Sequence, residues 1–291
     1  MIYTSYFGKI KSFPPNFEPI CIARWRPKWY HGKVLLTLAA LAGALCLYAQ
    51  NADEPVYADS STSLEKYMVP ATGDFATPDK DGFLGRWLLL DPISKPNRSN
   101  TVFTDSYIRE AFAVPYFKGQ LGDVLPKDGS KVKVTVEYQP PVDMSAGRPR
   151  MRFDEPVVYE KKGKKLQWHA FDSQRYNVKL FRFATNLTED RYGVIFWAVT
   201  VVNCPEDIPN VRMSVGSNSA SMWWLNGEEA VILSGDRRMV ADDVASERLT
   251  LKKGRNVIWG AVINGPGMSD FCVRFIDEAG NPVKNITLST K

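Results

Sequence analysis

The stretch Ser221-Met222-Trp223-Trp224-Leu225-Asn226-Gly227 constrains this chain more than any other. Asn-Gly accepts positive φ at both central positions of a turn. The aromatic and apolar residues before it and Glu229-Ala230-Val231-Ile232-Leu233 after it therefore read as two strands joined by a tight turn. Further on, Lys252-Lys253-Gly254-Arg255-Asn256 is a surface turn feeding a strand that continues through Val257 and Ile258. Val132–Tyr138, Lys165–Phe171 and Val211–Val215 alternate with the period of two that half-buried strands require. Gly193–Val202 is almost wholly apolar and suits a central strand covered on both faces. Arg86–Leu90 is a shorter apolar run ended by Asp91-Pro92, and further strands fall at 221–225, 229–233, 248–251, 256–263, 271–276 and 284–288. Thr104–Phe112 is the one convincing helix: Thr104 or Asp105 caps it, and Tyr107, Ile108, Ala111 and Phe112 recur on one side. Short, regularly spaced strands separated by turn signals predict an all-β, antiparallel sandwich with one or two short helices.

The amino-terminal segment has a different character. Arg24, Arg26, Lys28 and Lys33 precede an apolar run from Val34 to Tyr48, and Leu47-Tyr48-Ala49 places a small residue where a signal peptidase cuts, next to Gln50. Residues 1–49 are therefore expected to be a cleaved signal peptide, directing the protein to the periplasm or the exterior. The alternatives are an uncleaved membrane anchor and a lipid anchor on Cys46, although Gly43-Ala44-Leu45 makes a poor lipidation motif. That segment holds six of the 37 Lys and Arg residues and one of the 32 Asp and Glu residues, leaving 31 of each sign. The basic balance thus belongs to the leader, and the usual inference from it to nucleic acid fails. The remaining chain has one histidine, His169, and two cysteines, Cys204 and Cys272, which form either a disulfide or two buried thiols. Neither CxxC nor HxxxH spacing occurs, so a Cys/His metal site is excluded.

Residues 50–80 are rich in Asp, Ser, Thr and Pro and read as a flexible lead-in, with order beginning near Gly82. Residues 81–291 form the sandwich region, either as one domain or as an 81–160 subdomain followed by a 161–291 core.

Several pieces together carry a family resemblance. They are Phe83-Leu84-Gly85-Arg86-Trp87-Leu88-Leu89-Leu90-Asp91-Pro92, Tyr176–Ala184, the Trp-Trp-Leu-Asn-Gly hairpin and the Lys-Lys-Gly-Arg-Asn turn. In this order the chain resembles galactose-binding-like jelly-roll modules of secreted bacterial polysaccharide-degradation proteins, over roughly residues 80–290. It is also similar to proteins labelled acetylxylan esterase. The resemblance implies a jelly-roll sandwich and a carbohydrate-associated role.

An esterase requires a serine nucleophile with a histidine base. The nearest approach to a nucleophile elbow is Gly216-Ser217-Asn218-Ser219-Ala220, which lacks the second glycine of Gly-x-Ser-x-Gly. His169 is the one base left after the leader, so an esterase would use it with Ser217, Ser219 or Ser221. Its place in an alternating strand points to a structural histidine instead. Trp168 and His169 must face opposite ways. A glycosidase needs two carboxylates at a set separation, and Asp236, Asp242, Asp243 and Asp270 lie in loops that can meet. No cofactor is expected; a structural calcium on Asp236, Asp242 or Asp243 is an alternative without supporting spacing.

Sugar recognition combines an aromatic face with a few polar groups. Of the tryptophans after the leader, Trp87 and Trp197 read as core, while one of the adjacent pair Trp223 and Trp224 must turn away from it. Loop residues Asp236, Arg237, Arg238, Asn264 and Asp270 are the polar candidates, since guanidinium and carboxylate forks match sugar hydroxyls. The sequence therefore favours a secreted, non-catalytic β-sandwich that binds polysaccharide or supports a partner carbohydrate-active enzyme, without nucleic acid and without a membrane span after cleavage. The alternatives are a carbohydrate esterase of the acetylxylan type and a structural or protein-interaction module of the cell envelope.

Overall fold

The computed structural model describes residues 63–97, 100–113, 125–138, 159–187, 192–265 and 267–291. The segment expected to be a cleaved leader, residues 1–49, lies outside them. All described residues belong to one compact unit, Ser61–Lys291, and none of its helices is long and apolar enough to cross a membrane.

The chain forms the antiparallel β-sandwich expected from its strand pattern. In order, the strands are β1 (Met68–Pro70), β2 (Arg86–Leu90), β3 (Ile93–Ser94), β4 (Lys131–Tyr138), β5 (Glu160–Ser173), β6 (Val194–Cys204), β7 (Ile208–Ser217), β8 (Ala220–Leu225), β9 (Glu228–Leu233), β10 (Val244–Ala245), β11 (Leu249–Leu251), β12 (Gly254–Asn264), β13 (Phe271–Ile276) and β14 (Thr287–Ser289). Helix α1 spans Asp105–Ala113 and helix α2 spans Leu180–Leu187. A ten-stranded sheet runs β1-β5-β2-β6-β12-β8-β9, with β3 and β14 also on β6 and with β4 on β5. In a four-stranded sheet, β7 pairs with β10, β11 and β13.

Strand β6 is buried at every residue but Asn203, as its apolar composition requires. It pairs along its whole length with β12, from Gly254↔Cys204 to Asn264↔Val194. Side-chain alternation then gives the large sheet two buried faces. On one face Trp87, Phe196, Trp223 and Ile258 pack against Met213, Val215, Phe271 and Phe275 of the small sheet. On the other, Trp168, Trp197, Trp224 and Trp259 are covered by Ile108 and Phe112 of α1 and by Val134 and Val136 of β4. Each fully buried large side chain contributes about 1.5–3 kcal/mol, so two cores sharing one sheet dominate the stability. Trp223 fits only because its β12 partner is Gly260. A Cβ at position 260 would lie 2.2 Å from the Trp223 ring.

The Asn226-Gly227 turn has φ of 53° and 87°, the two positive values a primed hairpin turn needs. Asn226 also ties the turn to β12: its N–H donates to the Val257 carbonyl at 2.8 Å, and its Oδ1 accepts from the Val257 N–H at 2.8 Å. Thr104 caps α1, its Oγ1 accepting from the Tyr107 N–H at 3.3 Å.

Helix α2, where Leu180, Phe183 and Ala184 are buried at helical spacing, is the second of the one or two short helices expected, at a place the sequence did not assign. One feature departs from the sequence expectation, the segment read as a lead-in: within it β1 pairs with β5, Met68 facing Ser173, and Met68 is buried in the core.

Candidate functional site

The loop residues named from sequence do gather. At one end of the large sheet, the β7–β8 turn holds two loops together. The Asn218 N–H donates to the Asp270 carbonyl at 2.8 Å, and the Ser219 N–H donates to the Arg237 carbonyl at 2.9 Å. Most of their side chains, however, are engaged inside the protein. Arg237 donates from Nε to Asp243 at 2.7 Å and from its guanidinium to the Ser234 carbonyl at 3.3 Å. Asn264 is fully buried, and its Oδ1 accepts from the Val194 N–H at 3.1 Å. Asp270 is 2% exposed and accepts from Lys179 Nζ at 2.9 Å. Burial pushes its carboxyl above the ordinary range against the pull of Lys179. Asp242 accepts from Ser214 Oγ at 2.6 Å and from the Arg274 fork, while Asp243 goes to Arg237. Among the described residues no group of three or more His, Cys, Asp or Glu side chains comes together to hold a metal ion. Asp236, Arg238 and Asp242 are the members of the set that remain exposed.

Neither tryptophan of the hairpin offers a ring to a solute. Trp223 lies edge-on to Trp87 at 5.9 Å with its Nε1 donating to Ser221 Oγ at 3.0 Å. Trp224 faces the other way, as two adjacent strand residues must, but that side is also covered. It is 9% exposed and stacks on Trp197 at 5.6 Å.

His169 is hydrogen-bonded through Nε2 to Asp91 Oδ1 at 2.9 Å and lies edge-on to Phe183. Burial raises the Asp91 carboxyl, but hydrogen bonds from His169 and from the Gln167 N–H outweigh it and leave the group below the ordinary range. The serines lie elsewhere. Ser217 and Ser221 hydrogen-bond each other at 2.8 Å, Ser219 sits in the β7–β8 turn with φ 56°, and all three are buried. His169 lies on β5 and Ser221 on β8, with β2, β6 and β12 between them in the sheet, so the strand order does not bring Ser221 and its partner Ser217 to the histidine. Cys204 and Cys272 are both free and buried, and burial pushes the Cys272 thiol up to about 12.

The opposite end of β6 and β12 is built differently. A depression of about 400 Å³ is lined there by Asp74, Phe75, Asn203, Arg255, Ser289 and Lys291. Asn203 and Arg255 are register partners across β6 and β12, and Ser289 opposes Val201. Alternation therefore places all three on the face of the large sheet that carries the four tryptophans. Phe75 is 62% exposed, the highest value among the exposed large apolar side chains of the described residues, with Tyr192 at 54% and Tyr176 at 44%.

The loop bearing Phe75 is held from beneath. Arg86, 3% exposed, forks onto Asp172 with two 2.7 Å contacts. Its remaining donors reach the Thr72 carbonyl at 2.6 Å and the Gly73 carbonyl at 3.2 Å. Beyond Phe75, Ala76 and Leu288 exchange two backbone hydrogen bonds of 2.9 and 2.8 Å. The ring is thus presented by backbone fixed on both sides. Around it, Asp74 is paired with Lys291, whose hydrogen bond lowers the Asp74 carboxyl. Asn203 donates to Ser289 Oγ at 3.2 Å. The exposed Arg255 guanidinium makes no hydrogen bond or ion pair with another described residue. A flat apolar ring beside a guanidinium, an amide and a carboxylate can take a solute that has one apolar face and hydroxyls at its edge. The sequence reading passed over these residues because the surrounding stretch is polar. The signal it held was a lone aromatic between Asp74 and Ala76 in an otherwise polar segment.

No family model matches the chain, and no curated protein matches it. Among solved structures it is similar to a PA14 sugar-binding domain from an RTX adhesin, with 9% identity over 71% of this chain and 99% of that one and a TM-score of 0.33. It is also similar to the PA14 domain of the antifreeze protein MpAFP, with 10% identity over 75% of this chain and 96% of that one and a TM-score of 0.33. Both carry a PA14 name rather than the galactose-binding-like or acetylxylan esterase names that the sequence resemblance suggests.

Proposed function

We propose that the chain is a non-catalytic carbohydrate-binding β-sandwich, and that the sugar lies against Phe75 at the β6–β12 end of the large sheet. One observation carries this reading: a 62% exposed phenyl ring on a loop whose carbonyls are gripped by the buried Arg86. Exposing such a ring forfeits burial that the phenylalanines of both cores exploit, and fixing its backbone removes the ordering cost from binding. A pyranose offers C–H bonds to the ring face and hydroxyls to Asn203, Arg255 and Asp74. The site is shallow and open, which suits a long chain passing across it better than a small ligand enclosed on all sides. The basic-then-apolar pattern of residues 24–48 supports export, which would bring this surface to polysaccharide outside the cytoplasm.

The test is Phe75→Ala assayed by glycan array and by affinity electrophoresis in soluble polysaccharides. Loss of at least tenfold in affinity for a bound glycan, with an unchanged melting temperature, is the expected result. Equal binding by wild type and a Phe75→Ala/Asn203→Ala double variant would remove the depression from consideration.

A further inference from the structure

The positive charge left after the leader is not spread evenly. Strands β4 and β5 pair over eight residues, from Lys131↔Gln167 to Tyr138↔Glu160. Alternation assigns each residue of this ribbon to a face. Val132, Val134, Val136 and Leu166 point to the core beneath α1. Lys131, Lys133, Lys161 and Lys165 share the other face with Thr135 and Gln167. All four lysines are exposed. Lys133 lies directly opposite Lys165, and its Cε passes 3.1 Å from where a Cβ on Gly163 would stand. The acid on that face, Glu137, is occupied by Lys95 at 2.8 Å. None of the four lysines forms an ion pair with another described residue.

Like charges directly opposite across a strand pair are destabilising. Protecting an exposed strand edge from aggregation requires charge, but alternating Glu and Lys would serve equally and without that repulsion. With Lys133 set opposite Lys165, and with Glu137, the register partner of Lys161, taken by Lys95, the row calls for a counterion from outside. Successive same-face residues on a strand are roughly 7 Å apart, so the lysines form a row and not a nest. A row suits a chain that repeats its charge along its length. Lysine, a point charge on a flexible stem, also tolerates uneven spacing of its partners better than arginine does.

We propose that this ribbon binds an acidic polysaccharide, one carrying carboxylates or sulfates along an extended chain. The proposal rests on the carbohydrate-binding reading and adds the substrate class to it, at a surface separate from Phe75. Affinity electrophoresis in polygalacturonate and in a neutral glucan, at rising NaCl, tests it. Wild type should be retarded by polygalacturonate, with retardation falling steeply as salt rises. Lys133→Glu/Lys165→Glu should weaken that binding at least tenfold while leaving any binding to neutral glycan intact. Phe75→Ala should do the reverse to neutral glycan. Should the double charge reversal fold poorly, Lys133→Gln/Lys165→Gln with a native circular dichroism spectrum replaces it, with at least a threefold loss expected. Unretarded wild type in polygalacturonate would overturn the ribbon proposal even where neutral glycan still binds. So would single-stranded DNA displacing polygalacturonate at equal charge concentration, which would mark an unselective polyanion surface.

Discussion

The two ends of β6 and β12 contain similar inventories of Asp, Asn and Arg and use them in opposite ways. At the Val194–Asn264 end, Arg237 holds Asp243, Lys179 holds Asp270 and Asn264 receives the Val194 N–H. At the Asn203–Arg255 end, the buried arginine grips backbone, and Asp74, Arg255 and Lys291 stand exposed beside a bare ring. A cluster of charged loop residues is therefore a poor guide to a binding surface. What distinguishes a site is an exposed charged group such as Arg255, without a partner among the described residues, beside an apolar face held in place. Substitutions should then separate the ends: at the first they should cost stability and not affinity, and at the second the balance should shift toward affinity.

The largest effect is expected at the first end. Asp270→Ala leaves the Lys179 ammonium without its partner in a mostly buried position. Breaking such a pair costs about 3–5 kcal/mol, with the lower figure expected here because Lys179 is 17% exposed. Chemical denaturation should show that loss while glycan affinity per folded molecule stays constant; a parallel fall in affinity would place the ligand among these loops instead. Gly227→Val forces a β-branched residue to φ near 87° and should cost about 1–3 kcal/mol. Because that hairpin adjoins Val257, two residues from Arg255, a thermal melt paired with a binding assay shows whether turn strain reaches the depression. Arg86→Lys keeps the charge but loses the fork. It should lower stability by about 1–2 kcal/mol and, unlike Asp270→Ala, weaken glycan binding several-fold by loosening the Phe75 loop. The smallest effect is reserved for His169→Ala. With its imidazole engaged by Asp91, the change should leave glycan affinity untouched, and acetylated xylan should release no acetate with either protein. Acetate release by wild type that disappears in folded His169→Ala would restore the esterase alternative.

The longer strands were legible because each carries a local signal, whereas the short β1, β3 and β10 carry none. Alternation marks β4 and β7, unbroken apolarity marks β6, and Asn226-Gly227 fixes the β8–β9 hairpin. Helix α2 was not, although Leu180, Phe183 and Ala184 have helical spacing, because Tyr176–Ala184 is short and its apolar residues also fit a strand. The fate of Trp224 was half legible. Alternation separates it from Trp223, but the cover provided by α1 depends on residues more than a hundred positions away. The polar loop residues were legible as turns and opaque as partners, since the pairing of Asp270 with Lys179 spans 91 residues. Phe75 was hidden for the same reason in reverse: the clamp that gives it meaning comes from Arg86 and Asp172, which no local pattern links to it.

The seat of Trp223 over Gly260 has a bearing on how this sequence can diversify. Any side chain at 260 collides with the indole, and loss of the indole would open a void beside a bare backbone that the glycine cannot fill. Drift at either position alone is thus blocked, whereas a joint exchange, such as Gly260→Ala with Trp223→Leu, trades volume across the pair. Descendants of this chain should carry either both residues or neither, so these two columns should vary together in an alignment while their neighbours Ala261 and Met222 vary independently.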